Sequence, residues 1–214
     1  MLINNLGLLV NGTVQTINMV FVSAFFAGMV GLPLGVVLFI TRNPHLFKKP
    51  ALNAVISFIV NVIRSIPFII LLVAITPMTR MIVGTSIGTT AAMVPLAVSA
   101  IPFFARLVES ALNEVPVGLT EAGLAMGATV LQIIRKILIP EARKSIVRGM
   151  TLTLITLVGY SAMAGAIGGG GLGNIAIMYG YERFEIHIMI ATVVILILMV
   201  QFFQWCGDWV ARKM

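Results

Sequence analysis

Five stretches of this chain are too long, too apolar and too poor in charge to fold with water around them. The first runs from about Thr13 to Thr41 without a single charged side chain. The others cover about Asn53 to Thr76, Ser86 to Ala105, Gly149 to Gly165 and Ile186 to Trp205. A helix needs about 20 apolar residues to cross about 30 Å of hydrocarbon. The first run is longer than that, and Pro33 is expected to kink or tilt it. The third carries Pro95 and Pro102. Composition agrees: 59% of the 214 residues are hydrophobic and 10% are charged, against about 25% charged in soluble domains. We therefore read the chain as an all-α integral membrane protein. Five transmembrane helices form one domain over residues 1–214, and the long loop over about residues 106–148 is cytoplasmic.

The net charge of +7 does not point to nucleic acid, because the basic residues sit in short loops between apolar runs. The lipid bilayer is the surface they serve. One side collects Arg42, Lys48, Lys49, Arg106, Arg135, Lys136, Arg143, Lys144, Arg148, Arg212 and Lys213, which is 11 cations. The other side has only Arg80 and Arg183, and Arg64 lies inside the second run. The richer side is cytoplasmic by the positive-inside rule, which puts the N-terminus outside and the C-terminus inside. Trp205 and Trp209 fit an interfacial belt at the end of the last helix. No Lys or Arg precedes Arg42, so the basic leader of a cleaved signal peptide is missing and the first run is expected to stay as an anchor. Cys206 stands alone, so no intrachain disulfide is possible.

The loop is the most informative segment. Pro116 suits the start of a short helix reaching to Met126. Gly127 supplies the left-handed residue that ends a helix. Thr129 with Gln132 reads as a capping box for a second helix, which Pro140 breaks or bends. Two short helices at an angle are expected at the membrane surface. Either they rest on lipid and their own bundle, or they dock a soluble partner. For docking, Ala122, Gly123, Ala125 and Gly127 allow close approach, and Glu121 accepts hydrogen bonds.

These residues carry a resemblance. Glu121-Ala122-Gly123, Gly127 after three intervening residues, and Ile137-x-Ile139-Pro140 after nine more resemble the cytoplasmic loop of bacterial ABC importer permeases. Gly123 and Ile139 replace the alanine and leucine of the strictest pattern, both conservatively. Arg64-Ser-Ile-Pro-Phe, Ile82-Val-Gly-Thr-Ser-Ile-Gly, Thr153-Leu-Ile-Thr-Leu-Val-Gly-Tyr-Ser-Ala-Met and Gly165-Ala-Ile-Gly-Gly-Gly-Gly-Leu-Gly173 are similar to the methionine-uptake branch of that family. The similarity covers about Thr13 to Asp208. It implies a type I ABC importer permease fold and a multi-pass protein of the bacterial inner membrane. It also implies a homodimer joined by two copies of a cytoplasmic ABC ATPase, which binds ATP and Mg. An extracytoplasmic methionine-binding (lipo)protein would deliver L-methionine, and D-methionine as well. Glu121, Ala122, Gly123, Ala125, Met126, Gly127 and Pro140 would couple the permease to the ATPase. Another small amino acid or peptide is the alternative cargo, and a secondary transporter or channel ranks below.

The residues argue against chemistry in the chain itself. No segment has the phosphate-binding pattern ending in Gly-Lys-Ser/Thr, so ATP hydrolysis falls to another subunit and no cofactor is expected here. Gly168 to Gly173 fits G-x-G-x-x-G, but without a strand before it the match carries nothing. It reads instead as a loop or re-entrant turn at the outer mouth. His45, His187 and Cys206 have no metal-ligand spacing, and no acid sits clearly within a span to support ion-coupled transport. Gly31 and Gly35 read as close helix packing.

Arg64 is the one cation inside a span, at a cost of about 3 kcal/mol or more if left at the bilayer centre. It either snorkels to the surface, pairs with a carboxylate or with carbonyls freed by Pro67, or touches the substrate. Tyr160, Ser161 and Met163, near the outer end of the fourth run, either pack the bundle or line a path. In the second case the Met163 thioether would act as a movable seal.

Overall fold

A computed structural model describes residues 2–214, with side chains from residue 6 onward, and it is helical throughout. The first span is one continuous rod from Leu6 to Arg42. It consists of α1 (Leu2–Phe26), a π-helical turn (Ala27–Gly31) and α2 (Leu32–Arg42). Pro33 sits in the first turn of α2, directly after the wide turn. A proline ring collides with the carbonyl four residues back in a regular helix, and a π turn changes that register. The rod therefore passes its proline without breaking.

The second span does break. α3 (Pro50–Ser65) and α4 (Phe68–Ala74) meet at 103°. Pro67 forces this, because the residue before a proline is pushed out of the helical region, and Ile66 is extended at φ −79°, ψ 125°. Arg64 thus lies in the last turn of a short helix and not in the middle of a long one. A further short helix, α5 (Thr76–Val83), ends at Gly84 in the left-handed conformation.

α6 (Thr89–Asn113) runs through both Pro95 and Pro102 and is the most buried of the four long rods. It continues eight residues past the expected end of the span at Ala105. The helix tolerates the charge of Arg106 because both terminal nitrogens of that guanidinium are bonded, although its Nε has no partner among the described residues. The guanidinium bonds the Glu109 carboxylate at 2.5 Å, the Asn61 side chain at 3.0 Å and the Ser57 carbonyl at 3.3 Å. Glu109 is 5% exposed and also lies 3.9 Å from Arg42. This cluster brings the ends of α2, α3 and α6 to one face.

α7 (Val117–Ala125) follows, then α8 (Val130–Ile133), a second π turn (Ile134–Leu138) and α9 (Ile139–Ala166). The last three form one rod from Val130 to Ala166. The helix that opens after Thr129 therefore runs on without a break into the rod of the fourth span, and Pro140 does not break it. Again a π turn precedes the proline. The break between α7 and this rod covers residues 126–129.

A glycine loop, the short helix α10 (Gly171–Ile175) and a third π turn (Ala176–Tyr181) lead to α11 (Ile186–Lys213). The loop lies beside α1. Gln15 Oε1 accepts from the Gly171 N–H and Thr16 Oγ1 from the Leu172 N–H, both at 2.9 Å. The first turn of α10 is thus capped from 156 residues away. Gly168 and Gly170 need their positive φ of 84° and 75°, and the Gly168 carbonyl accepts from the Gly88 N–H. Non-helical backbone among the spans is tolerated when buried in protein.

Among the described residues, four rods are long and apolar enough to cross a membrane, and the bent α3–α4 pair makes up to five. Gly31 and Gly35 do serve packing. A Cβ on Gly31 would lie 2.9 Å from the Ile101 carbonyl oxygen, and one on Gly35 would lie 2.5 Å from that of Ala105. α2 and α6 can meet backbone to backbone only without those side chains.

Candidate functional site

The inner connector is built by local turn chemistry. Pro116 (φ −57°, ψ 128°) stands just outside α7 as its N-cap, one residue earlier than a first-turn proline. At the other end the Ala128 N–H bonds the Gly123 carbonyl at 3.0 Å, and the Gly127 N–H bonds the Leu124 carbonyl at 2.9 Å. These two crossed bonds close a Schellman motif, which requires a left-handed residue at its corner. Gly127 supplies it at φ 78°. Two residues on, the Thr129 hydroxyl accepts from the Gln132 N–H, and the Gln132 side chain accepts from the Thr129 N–H at 2.8 Å. One helix is closed and the next opened within four residues.

α7 turns two kinds of surface outward and inward. Thr120 and Gly123 are buried. A Cβ on Gly123 would come 2.8 Å from the Ile137 side chain, so the second alanine of the strictest pattern is replaced where α7 presses on the π turn. Glu121, Ala122, Ala125 and Gly127 are exposed, and Met126 is 80% exposed. A Cβ on Gly127 would meet nothing within 4 Å. The result is an exposed knob of small residues, with one acid and one flexible thioether at its tip. Pro140 is not part of the knob: it lies exposed on the long rod just past the π turn.

The second group is partly brought together. Phe68, the first residue of α4, stacks on Tyr160 with ring centroids 4.5 Å apart and planes 1° apart. Pro67, its N-cap, is exposed beside the break, and Met163, nearly one turn beyond Tyr160, is half exposed. Ser161 points the other way: it is buried and its hydroxyl donates to the Val158 carbonyl at 2.7 Å. Arg64 is exposed, and its guanidinium carbon lies 6.0 Å from the centre of the Phe103 ring. Among the described residues no carboxylate pairs with it. The buried acid–base cluster of Arg106 and Glu109 was not singled out in the sequence. The three-residue spacing of the two charges is its only local trace.

No group of three or more metal-ligating side chains forms among the described residues. The arrangement offers an exposed knob on α7 and an aromatic joint in the broken span.

Comparison with known proteins is consistent in family and fold. The family model described as "Binding-protein-dependent transport system inner membrane component" matches residues 29–214. The chain is 54% identical to the probable D-methionine transport system permease protein MetI of Vibrio cholerae, over 98% of this chain and 93% of that one. It is 58% identical to the D-methionine transport system permease protein MetI of Escherichia coli K12, over 74% of this chain and 73% of that one. A chain from a structure of the MetNI methionine ABC transporter in inward-facing conformations superimposes with a TM-score of 0.95 at 53% identity, over 96% of this chain and 95% of that one. A chain from an amino acid ABC transporter crystallised with histidines superimposes with a TM-score of 0.82 at 21% identity, which shows the shared fold.

Proposed function

This chain belongs to the family of binding-protein-dependent transport system inner membrane components, and we propose that it is the permease subunit of an ATP-driven importer of methionine. Two copies form the membrane path, and two copies of a cytoplasmic ABC ATPase bind ATP and Mg beneath them. A binding protein outside delivers L- or D-methionine. The observation that carries the reading is the exposed knob of α7. It starts at Pro116 and is closed by the Gly127 turn, with Thr129 opening the next helix; it stands at the cation-rich end of the spans, and its exposed residues are mostly small.

In this reading Glu121, Ala122, Ala125, Met126 and Gly127 seat in the ATPase, and Gly123 presses α7 onto the rod that begins at Val130. Pro140 and its π turn shape that rod. Closure of the ATPase pair moves α7 as a rigid lever, because α7 packs on α8 and the second π turn of the long rod and is joined to α6 by a short link. The Glu114 carboxylate accepts from the Ser145 hydroxyl at 2.6 Å, which adds a polar tie at the base of the lever. The shift opens the bundle outward, where the loaded binding protein waits, and hydrolysis resets it.

Pro67, Tyr160 and Met163 line the path at the joint of the broken span, with Met163 as the movable seal. Ser161 supports the helix behind them. Arg64, exposed and without an acidic partner among the described residues, sits at the inner side of the same joint. An apolar path with few fixed charges suits a zwitterion that passes through without being held. The cargo assignment is supported by the names of the relatives.

The test is uptake of labelled methionine in a methionine auxotroph stripped of its own uptake systems and supplied with this chain, its ATPase and its binding protein. Uptake that requires this chain, stops on ATP depletion and is competed mainly by methionine is expected. ATP-dependent uptake of a different solute would discard methionine as the cargo. Uptake without any ATPase would overturn the importer.

A further inference from the structure

Between α5, α6 and the glycine loop lies a small cavity, lined by Leu72, Thr76, Thr79, Ser86, Ala91 and Pro95 among others. Its space for the centre of a water-sized sphere is about 20 Å³, and a single water needs about 10–15 Å³ by that measure. Thr79 is 3% exposed, and its hydroxyl has no hydrogen-bond partner among the described residues.

That hydroxyl behaves unlike others in this bundle. Threonines in spans normally turn the hydroxyl back onto the carbonyl four residues earlier, as Thr16, Thr41, Thr76, Thr153 and Thr192 do here at 2.6–3.0 Å. Thr76, also on the cavity wall, spends its proton in this way on Leu72. Thr79 does not. A second polar group on the same cavity comes from α6. Pro95 has no N–H, so the carbonyl of Ala91 one turn earlier loses its helical donor, and both residues line the cavity. The Ser86 hydroxyl is a third group on the wall. A buried hydroxyl and a freed carbonyl are both destabilising if left dry in apolar surroundings, and waters in such sites make two to four hydrogen bonds.

We propose that this cavity is a resident water site, in which one water molecule joins the Thr79 hydroxyl to the Ala91 carbonyl and ties α5 to α6 across the glycine loop. The inference is independent of the cargo and of the coupling to ATP, since it rests on the closed packing of α5 on α6.

The test is the structure of the assembled transporter at about 2 Å or better. A single peak is expected at about 2.7–3.2 Å from Thr79 Oγ1, and in T79V, which keeps the shape and removes the hydroxyl, the peak is lost. T79S keeps it. An empty cavity in the wild-type protein would overturn the proposal. So would a Thr79 hydroxyl bonded to the Ile75 carbonyl of its own helix, or a peak that persists unchanged in T79V.

Discussion

Gly127 allows the coupling argument to be tested without touching any contact in the isolated chain. Its φ is 78°, and a Cβ placed there meets no atom within 4 Å. Replacement by alanine therefore introduces backbone strain alone. An L-residue in the left-handed region costs about 1–2 kcal/mol. The two hydrogen bonds that close the turn, Ala128 N–H to Gly123 and Gly127 N–H to Leu124, are worth about 0.5–1.5 kcal/mol each. The strain thus consumes most of what holds the turn shut. A change of 1–2 kcal/mol shifts its opening equilibrium by roughly 5–30-fold. Amide exchange at residues 127 and 128 in the purified transporter should rise by that factor in G127A, while the thermal melt of the complex stays put. Uptake in proteoliposomes should fall several-fold, with ATP turnover no longer matched to transport. G127V should be worse, because a β-branched residue resists this region more strongly. G127N should retain much of the activity, because asparagine tolerates it. Wild-type exchange and uptake in G127A would refute the argument. Asparagine failing as badly as valine would show that the partner's surface, and not the backbone angle, sets the requirement.

Three further predictions follow from the packing. G35L should abolish assembly or lower its melting temperature sharply, since even a Cβ at that position would sit 2.5 Å from the Ala105 carbonyl oxygen; overpacking usually costs about 1–3 kcal/mol, and an expression and thermal-melt series over Gly, Ala and Leu reads it. E109A should cost about 3–5 kcal/mol by stranding the Arg106 guanidinium in the protein, and the double change R106M/E109L should recover much of that loss in the same melt. Y160A removes a stack worth about 0.5–1.5 kcal/mol beyond its buried area; it should slow uptake more than it lowers the melting temperature if the joint lines the path, whereas Y160F should transport normally.

What could be read from residues alone divides along one physical line. Apolar runs locate the spans because lipid contact depends on the average of about 20 side chains. The α7 connector is legible because its determinants are neighbours: Gly127 closes one helix, and Thr129 with Gln132 opens the next, within six residues. The break in the second span is also local, since Pro67 acts on Ile66. The features that escaped depend on partners far away in sequence. Arg106 looked like the end of a span, because a lone cation is costly in lipid. It lies inside α6, because Asn61 and Ser57, more than 40 residues earlier, and Glu109 take up its two terminal nitrogens. The start of α10 is capped by Gln15 and Thr16, which carry no signal in α1 beyond being polar.

The prolines sharpen the same distinction. Pro33 and Pro140 each follow a π turn and leave their rods intact. Pro95 and Pro102 pass within α6 with no such turn, whereas Pro67 breaks its span. A proline fixes which hydrogen bond is lost, but the surroundings decide what replaces it. A π turn shifts the ladder around Pro33 and Pro140. At Pro67 the chain turns by 103° and gives the bundle its aromatic joint with Tyr160. At Pro95 the freed carbonyl belongs to Ala91, which lines a cavity together with Thr79 and its unpartnered hydroxyl, so what replaces the lost bond depends on a neighbouring helix that the sequence of α6 does not name.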